Sequence, residues 1–136
     1  MYGQNPAAQY RAVRSHGLVA NASPTRLVQI SFEGVLSHLA AARGCMTRIQ
    51  DNRPVNDVIA KGAALGKAIA LIDRLNSALN MERGGQVAEN LRALYQYMMH
   101  RLTLANATND PGVVVEVAGL IATIKSGWDQ IVTDAR

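Results

Sequence analysis

Three histidines (His16, His38 and His100) and a single cysteine (Cys45) are the side chains in this sequence with the most chemistry to offer. Metal binding in a helical protein would need a pattern such as H-E-x-x-H or E-x-x-H, which sets two ligands on one helix face. None of the three histidines has such neighbours. Histidine phosphotransfer would need an exposed histidine with a lysine and a glycine close behind it to hold the phosphate. His38 is followed by "LAAARG", which brings Arg43 and Gly44 a turn too late, and His100 by "RLTLAN", with neither lysine nor glycine. A phosphotransfer or signalling bundle is therefore the weaker of two functional readings. Cys45 lacks a C-x-x-C partner and reads as a small buried thiol. No phosphate-cradling glycine loop and no G-x-S-x-G elbow occurs; "ERGG" and "NDPG" are turns. These patterns point away from an enzyme, and no catalytic residue, metal or cofactor is expected.

The remaining chemistry is apolar. The stretch "ENLRALYQYMMHRLTLAN", residues 89–106, reads as unbroken helix. Val87, Leu91, Leu94, Tyr95, Met98, Leu102 and Ala105 form its main apolar arc. Ala93, Tyr97, His100 and Leu104 form a second line on the back, spaced 4, 3 and 4. An ordinary bundle helix has no need of that second line, and its natural use is to be covered by another chain. Met98 and Met99 fit either core filling or an adaptable binding surface.

The elements that must position these side chains are helices. Apolar residues make up 49% of the chain and aromatics 4%, so the core is aliphatic. Ser23 as N-cap and Pro24 at the first helical position start helix one. Val28, Phe32, Val35, Leu36, Leu39, Ala42 and Met46 gather on one side of it, while Leu27 and Ile30 lie on another flank, near Gly34 and Cys45. "QDNRPVND" reads as a loop. Helix two is expected over 57–79, with Leu65, Ala68, Ile69, Leu71, Ile72, Leu75 and Leu79 spread over roughly 160°. Gly62, Ala63, Ala64 and Gly66 leave part of it bare. "NMERGG" reads as the next connection, with Asn80 as a C-cap of helix two. Helix three follows over 86–106. "NATNDPG" is a turn with Asp110 as N-cap, and helix four covers 112–132. Its stripe of Val114, Val117, Leu120, Ile121, Ile124, Trp128 and Ile131 is that of an ordinary bundle helix.

The expected fold is all-α: an antiparallel up-down four-helix bundle over residues 23–132, with a mobile N-terminal arm at 1–22 and a tail at 133–136. The net charge of +4 fades from a positive N-terminal part to a slightly negative C-terminal one, with no basic cluster, so no nucleic acid is expected. The lone cysteine suits a cytosolic protein. The N-terminus has no apolar core of a signal peptide, and "GVVVEVAGLIATI" is too short to span a bilayer, so no membrane insertion is expected.

Three pieces of the sequence carry a family resemblance: "ASPTRLVQISFEGVLSHLAAA" (22–42), "LNMERGGQVAENLRALYQYMMHRLTLAN" (79–106) and "IKSGWDQI" (124–131). In order and spacing they resemble the flagellar secretion chaperones of the FliS family. The GGxxAxNLxxLYxYM core at 84–98 is the most specific part, and Tyr10 stands where the family has an N-terminal tyrosine. Gln96 replaces a frequent acid, and helix two is richer in glycine and alanine than the family pattern. The resemblance implies a cytoplasmic chaperone that binds the disordered C-terminal segment of flagellin, prevents premature polymerisation and keeps the client fit for type III export. It implies no reaction. A contact with an export-gate component, and monomer or dimer, stay open. The residues expected to meet the client are Tyr10 in the arm, Leu27 and Ile30 on helix one, and Leu71 and Leu75 on helix two. On helix three they are Leu91, Tyr95, Tyr97, Met99, Leu102, Leu104 and Asn106. Core packing is the competing role for Leu91, Tyr95 and Leu102, and helix capping for Asn106. The arm around Tyr10 is expected to cover part of the groove when no client is present.

Overall fold

A computed structural model describes residues 23–134 except 53 and 54. The arm at 1–22, Tyr10 included, lies outside the described residues. Four helices account for nearly all of the described chain: α1 (Pro24–Asn52), α2 (Val55–Ser77), α3 (Met81–Thr108) and α4 (Pro111–Asp134). α1 packs against α2 and α4, and α3 against the same two, so the helices form a closed ring. Contacts between their ends make neighbours antiparallel. Arg48 near the end of α1 pairs with Asp57 near the start of α2 at 2.9 Å. Lys61 Nζ near the start of α2 donates to the carbonyl of Asn106 near the end of α3 at 2.9 Å. Gln29 near the start of α1 meets Asp129 near the end of α4. This is the up-down bundle expected from the sequence.

The caps explain where the helices start. Ser23 Oγ accepts from the Arg26 N–H at 3.1 Å, and Asp110 Oδ1 from the Gly112 N–H at 3.0 Å. Each satisfies a first-turn donor that has no partner within the helix. Other boundaries differ from the sequence reading. The "QDNRPVND" stretch is largely helical: α1 runs on to Asn52 and α2 begins at Val55. Buried Ile49 and the Arg48–Asp57 pair anchor those two helix ends, and tertiary contact overrides loop-like composition. Asn80 caps the start of α3, not the end of α2, its side-chain oxygen accepting from the Arg83 N–H at 3.0 Å. "MERG" is accordingly a helical turn. It is joined to the rest of α3 through Gly85, whose φ of 53° and ψ of −134° break the helical path. That conformation suits glycine alone. At the other end α3 continues past Asn106 to Thr108, and Asn109 takes the left-handed cap conformation. α4 runs through Thr133 to Asp134, into the expected tail, with no glycine or proline to stop it.

The enclosed core is aliphatic, with Phe32, Val35, Leu39 and Met46 from α1 and Leu65, Ala68 and Ile72 from α2. Met98, Leu102 and Ala105 come from α3, and Val114, Val117 and Ile121 from α4. Gly34 lets α1 and α2 approach closely: a Cβ there would lie 2.8 Å from Leu71 Cδ1. Where α2, α3 and α1 meet, Lys61 is buried. Its ammonium binds the Asn106 carbonyl, and the Asn109 side chain donates to the Met46 carbonyl at 3.3 Å. That end of the bundle is closed by a polar joint.

Candidate binding crevice

The opposite end of the bundle is open. On α4, Val114, Val117 and Ile121 are enclosed, yet the same stripe continues through half-buried Ile124 and Trp128 to Ile131, which is 59% exposed. On α3, Met98 and Leu102 are enclosed, while Leu91 and Leu94 are half-buried and Val87 is 67% exposed. Both stripes point inward by helical phase. They lose their cover at the same end of the bundle, the start of α3 and the end of α4. The α4 stripe is regular, as read from the sequence, but only its first half is covered.

The result is a crevice of about 260 Å³. α1 supplies Val28 and Phe32, and α2 supplies Leu75, Ala78 and Leu79. Leu91 and Tyr95 come from α3, and Ile124, Gly127, Trp128 and Ile131 from α4. No charged side chain lines it. Burial pushes the Tyr95 phenol up to about 12, so it stays neutral at any physiological pH. Water in such a slot meets few polar partners. Filling it with apolar side chains stabilises by roughly 25 cal/mol per Å² of surface covered.

The residues singled out in the sequence fall into several places. Leu75, Leu91 and Tyr95 come together in the crevice wall. Leu102 belongs to the enclosed core, the competing role read for it from the sequence, with none of its side chain exposed. It lies on the same α3 stripe as Leu91 but deeper, where α4 covers it. Leu71 packs on α1 at Gly34, and Leu27 and Ile30 share that flank of α1 by phase, away from the crevice. Met99 is half-buried against the core. Tyr97 (42% exposed) and Leu104 (44%) remain on the back of α3. There the Tyr97 hydroxyl donates to Glu116 Oε2 at 2.7 Å, and Arg101 pairs with the same carboxylate at 3.4 Å. The hydrogen bond to Glu116 raises the Tyr97 pKa, which keeps the donor in place. Asn106 is exposed and does not cap α3; Asn109 does. Tyr10 lies outside the described residues.

Sequence reasoning missed Val28, Phe32, Ile124, Trp128 and Ile131 as site residues. Their spacing is that of core, and nothing local marks where the core ends. His38 is half-buried, and its pKa is lowered by that burial and by the nearby Lys67 charge. Among the described residues no group of three histidine, cysteine, aspartate or glutamate side chains is gathered as metal ligands. No described helix is long and apolar enough to cross a membrane.

Comparison with known proteins gives a consistent match. The family model described as flagellar protein FliS matches residues 6–135. A relative in Pseudomonas aeruginosa, flagellar secretion chaperone FliSB, is 44% identical over 96% of this chain and 98% of its own length. Flagellar secretion chaperone FliS of Salmonella typhimurium is 40% identical, over 96% of this chain and 93% of its own. The Vibrio cholerae protein of the same description is also 40% identical, over 90% and 85%.

Proposed function

The chain belongs to the FliS family of flagellar proteins, and from that premise we propose that it is a cytoplasmic flagellar secretion chaperone whose open crevice receives the C-terminal segment of flagellin. Relatives across nearly the whole length are named flagellar secretion chaperones, which supports the export role. The observation that carries the binding site is the pair of inward-facing stripes on α3 and α4 that lose their cover together. An amphipathic client segment would fold as a helix between them, laying its apolar residues where a bundle neighbour would lie. Such coupled folding subtracts ordering entropy from affinity but covers a large surface. A client covered in this way is not free to polymerise, and nothing in the scheme requires a chemical step.

α1 starts at the open end, where the Trp128 indole N–H donates to the Thr25 carbonyl at 3.1 Å. We infer that the arm around Tyr10, which lies outside the described residues, covers part of the crevice when no client is present. Deleting residues 1–15 should then change client affinity or self-association, and an unchanged protein by both measures removes the arm from the scheme. The main test uses Trp128, the one tryptophan in the chain. Titration with a synthetic peptide of the cognate flagellin C-terminal segment should shift its emission to the blue as water leaves the slot. Saturable binding with no change at Trp128 would move the site elsewhere, with the exposed Tyr97–Leu104 line on the back of α3 the next candidate.

A further inference from the structure

The last turns of α4 have lost the apolar cover of α3, yet they stay in line with the bundle. Ile124 and Trp128 pack against the core, and polar contacts to α1 add to that hold. Gln29 Nε2 donates to Asp129 Oδ1 at 2.7 Å, joining residues 100 positions apart in sequence. Lys125 Nζ pairs with Asp129 Oδ2 at 2.5 Å, and the Trp128 indole binds the Thr25 carbonyl. Gln29, Lys125 and Asp129 are each half-buried, so water competes less for these bonds than at an open surface. The hydrogen bonds from Lys125 and Gln29 hold the Asp129 carboxyl below the usual carboxylate range.

None of Gln29, Lys125 or Asp129 lines the crevice. Lys125 and Asp129 lie on the flank of α4 beside Ile124, Trp128 and Ile131, which form its crevice wall, and Gln29 reaches Asp129 from α1. We propose that Gln29 and Asp129 are positioning residues for client binding: they pin the end of α4 to α1 and so keep the crevice wall at the distance from α3 that an apolar segment fills. The proposal rests on the reading that the crevice takes the client. The physical reason is the direction of the apolar force. Exposed Ile131 would gain by closing on the apolar crevice residues that face it, Leu91 among them. The pin opposes that closure, and it also opposes fraying of the final turn. In either failure the binding-competent fraction falls, and apparent affinity falls with it.

The test uses the full chain and three variants. Gln29→Met removes the donor at nearly constant volume. Asp129→Ala removes both bonds. Asp129→Asn keeps an acceptor for Gln29 and serves as the conservative rescue. Far-UV circular dichroism first establishes that each is helical; the two milder variants carry the test if Asp129→Ala does not fold. Acrylamide quenching of Trp128 without client reports the wall, and titration with the flagellin C-terminal peptide reports binding. We expect altered quenching and a roughly five- to twenty-fold loss of affinity for Gln29→Met and Asp129→Ala, between the scales of a neutral and a charge-assisted hydrogen bond because the site is only half-buried. Asp129→Asn should stay within about threefold of wild type, since it retains an acceptor for Gln29. Variants that melt earlier but bind like wild type overturn the proposal, as does lost affinity with Trp128 unmoved. If the wild-type chain itself does not bind the peptide, the reading of the crevice fails and this proposal falls with it. Wild-type binding with indifferent variants overturns this proposal alone.

Discussion

Ile121 and Ile131 lie on one stripe of α4, and truncating each to alanine should have opposite consequences. Ile121 has no exposed surface and touches the enclosed core. Its replacement by alanine removes buried methyl groups and leaves a cavity, which costs about 2–5 kcal/mol of stability. Ile131 is 59% exposed. Full burial of an isoleucine is worth about 1.5–3 kcal/mol, so about 1–2 kcal/mol remains to be gained only when a partner covers it. Ile131→Ala should therefore lower stability by less than about 1 kcal/mol. It should weaken binding of the flagellin C-terminal peptide roughly five- to ten-fold, which is about 1–1.4 kcal/mol. Urea unfolding followed by far-UV circular dichroism measures the first quantity, and calorimetric titration the second. Equal destabilisation by the two variants would mean that the crevice is closed in solution. Wild-type affinity in Ile131→Ala would mean that the client docks elsewhere.

Three further outcomes follow from the geometry. Lys61→Met should destabilise the chain by about 1–3 kcal/mol in the same urea assay, because the Asn106 carbonyl loses its buried donor while the aliphatic packing is largely kept. Gly85→Ala should cost about 1–3 kcal/mol, since φ of 53° with ψ of −134° is strained for any residue with a Cβ; unchanged stability would mean that the first turn of α3 rearranges freely. The raised Tyr95 pKa gives an alkaline limit. The native state keeps a proton that the unfolded chain gives up near pH 10, so this contribution is complete below about pH 10 and is lost as pH rises through about 12. Tyr95→Phe should flatten that part of the stability–pH curve, and an unchanged slope would show that the phenol is hydrated.

The helices, their direction and the composition of the core were legible in the sequence because helical periodicity is a local property. Seven-residue spacing marks which side of each helix is apolar, and Ser23–Pro24 and Asp110–Pro111 mark two helix starts. Boundaries were less legible where tertiary contacts decide them. Composition made "QDNRPVND" a loop, but Ile49 and Asp57 found partners that hold most of it helical. Asn80 could cap the helix before it or the one after it, and only the bond to Arg83 chose.

By itself the sequence determined that this chain is a helical bundle with an aliphatic core and more apolar side chains than four helices need. Its motifs carried the resemblance to the FliS family. Which apolar side chains are the surplus was decided only in three dimensions. The back of α3, conspicuous in sequence, is partly tied down through Tyr97 and Glu116. A further uncovered surface continues the core stripes themselves, at Val87 and Ile131. Periodicity fixes the angle of a side chain about its own helix axis. It says nothing of how far away the next helix stands at that height. That distance is set by contacts elsewhere: the close approach at Gly34, the joint at Lys61 and the pin at Asp129. Together they leave one end of the bundle shut and the other open.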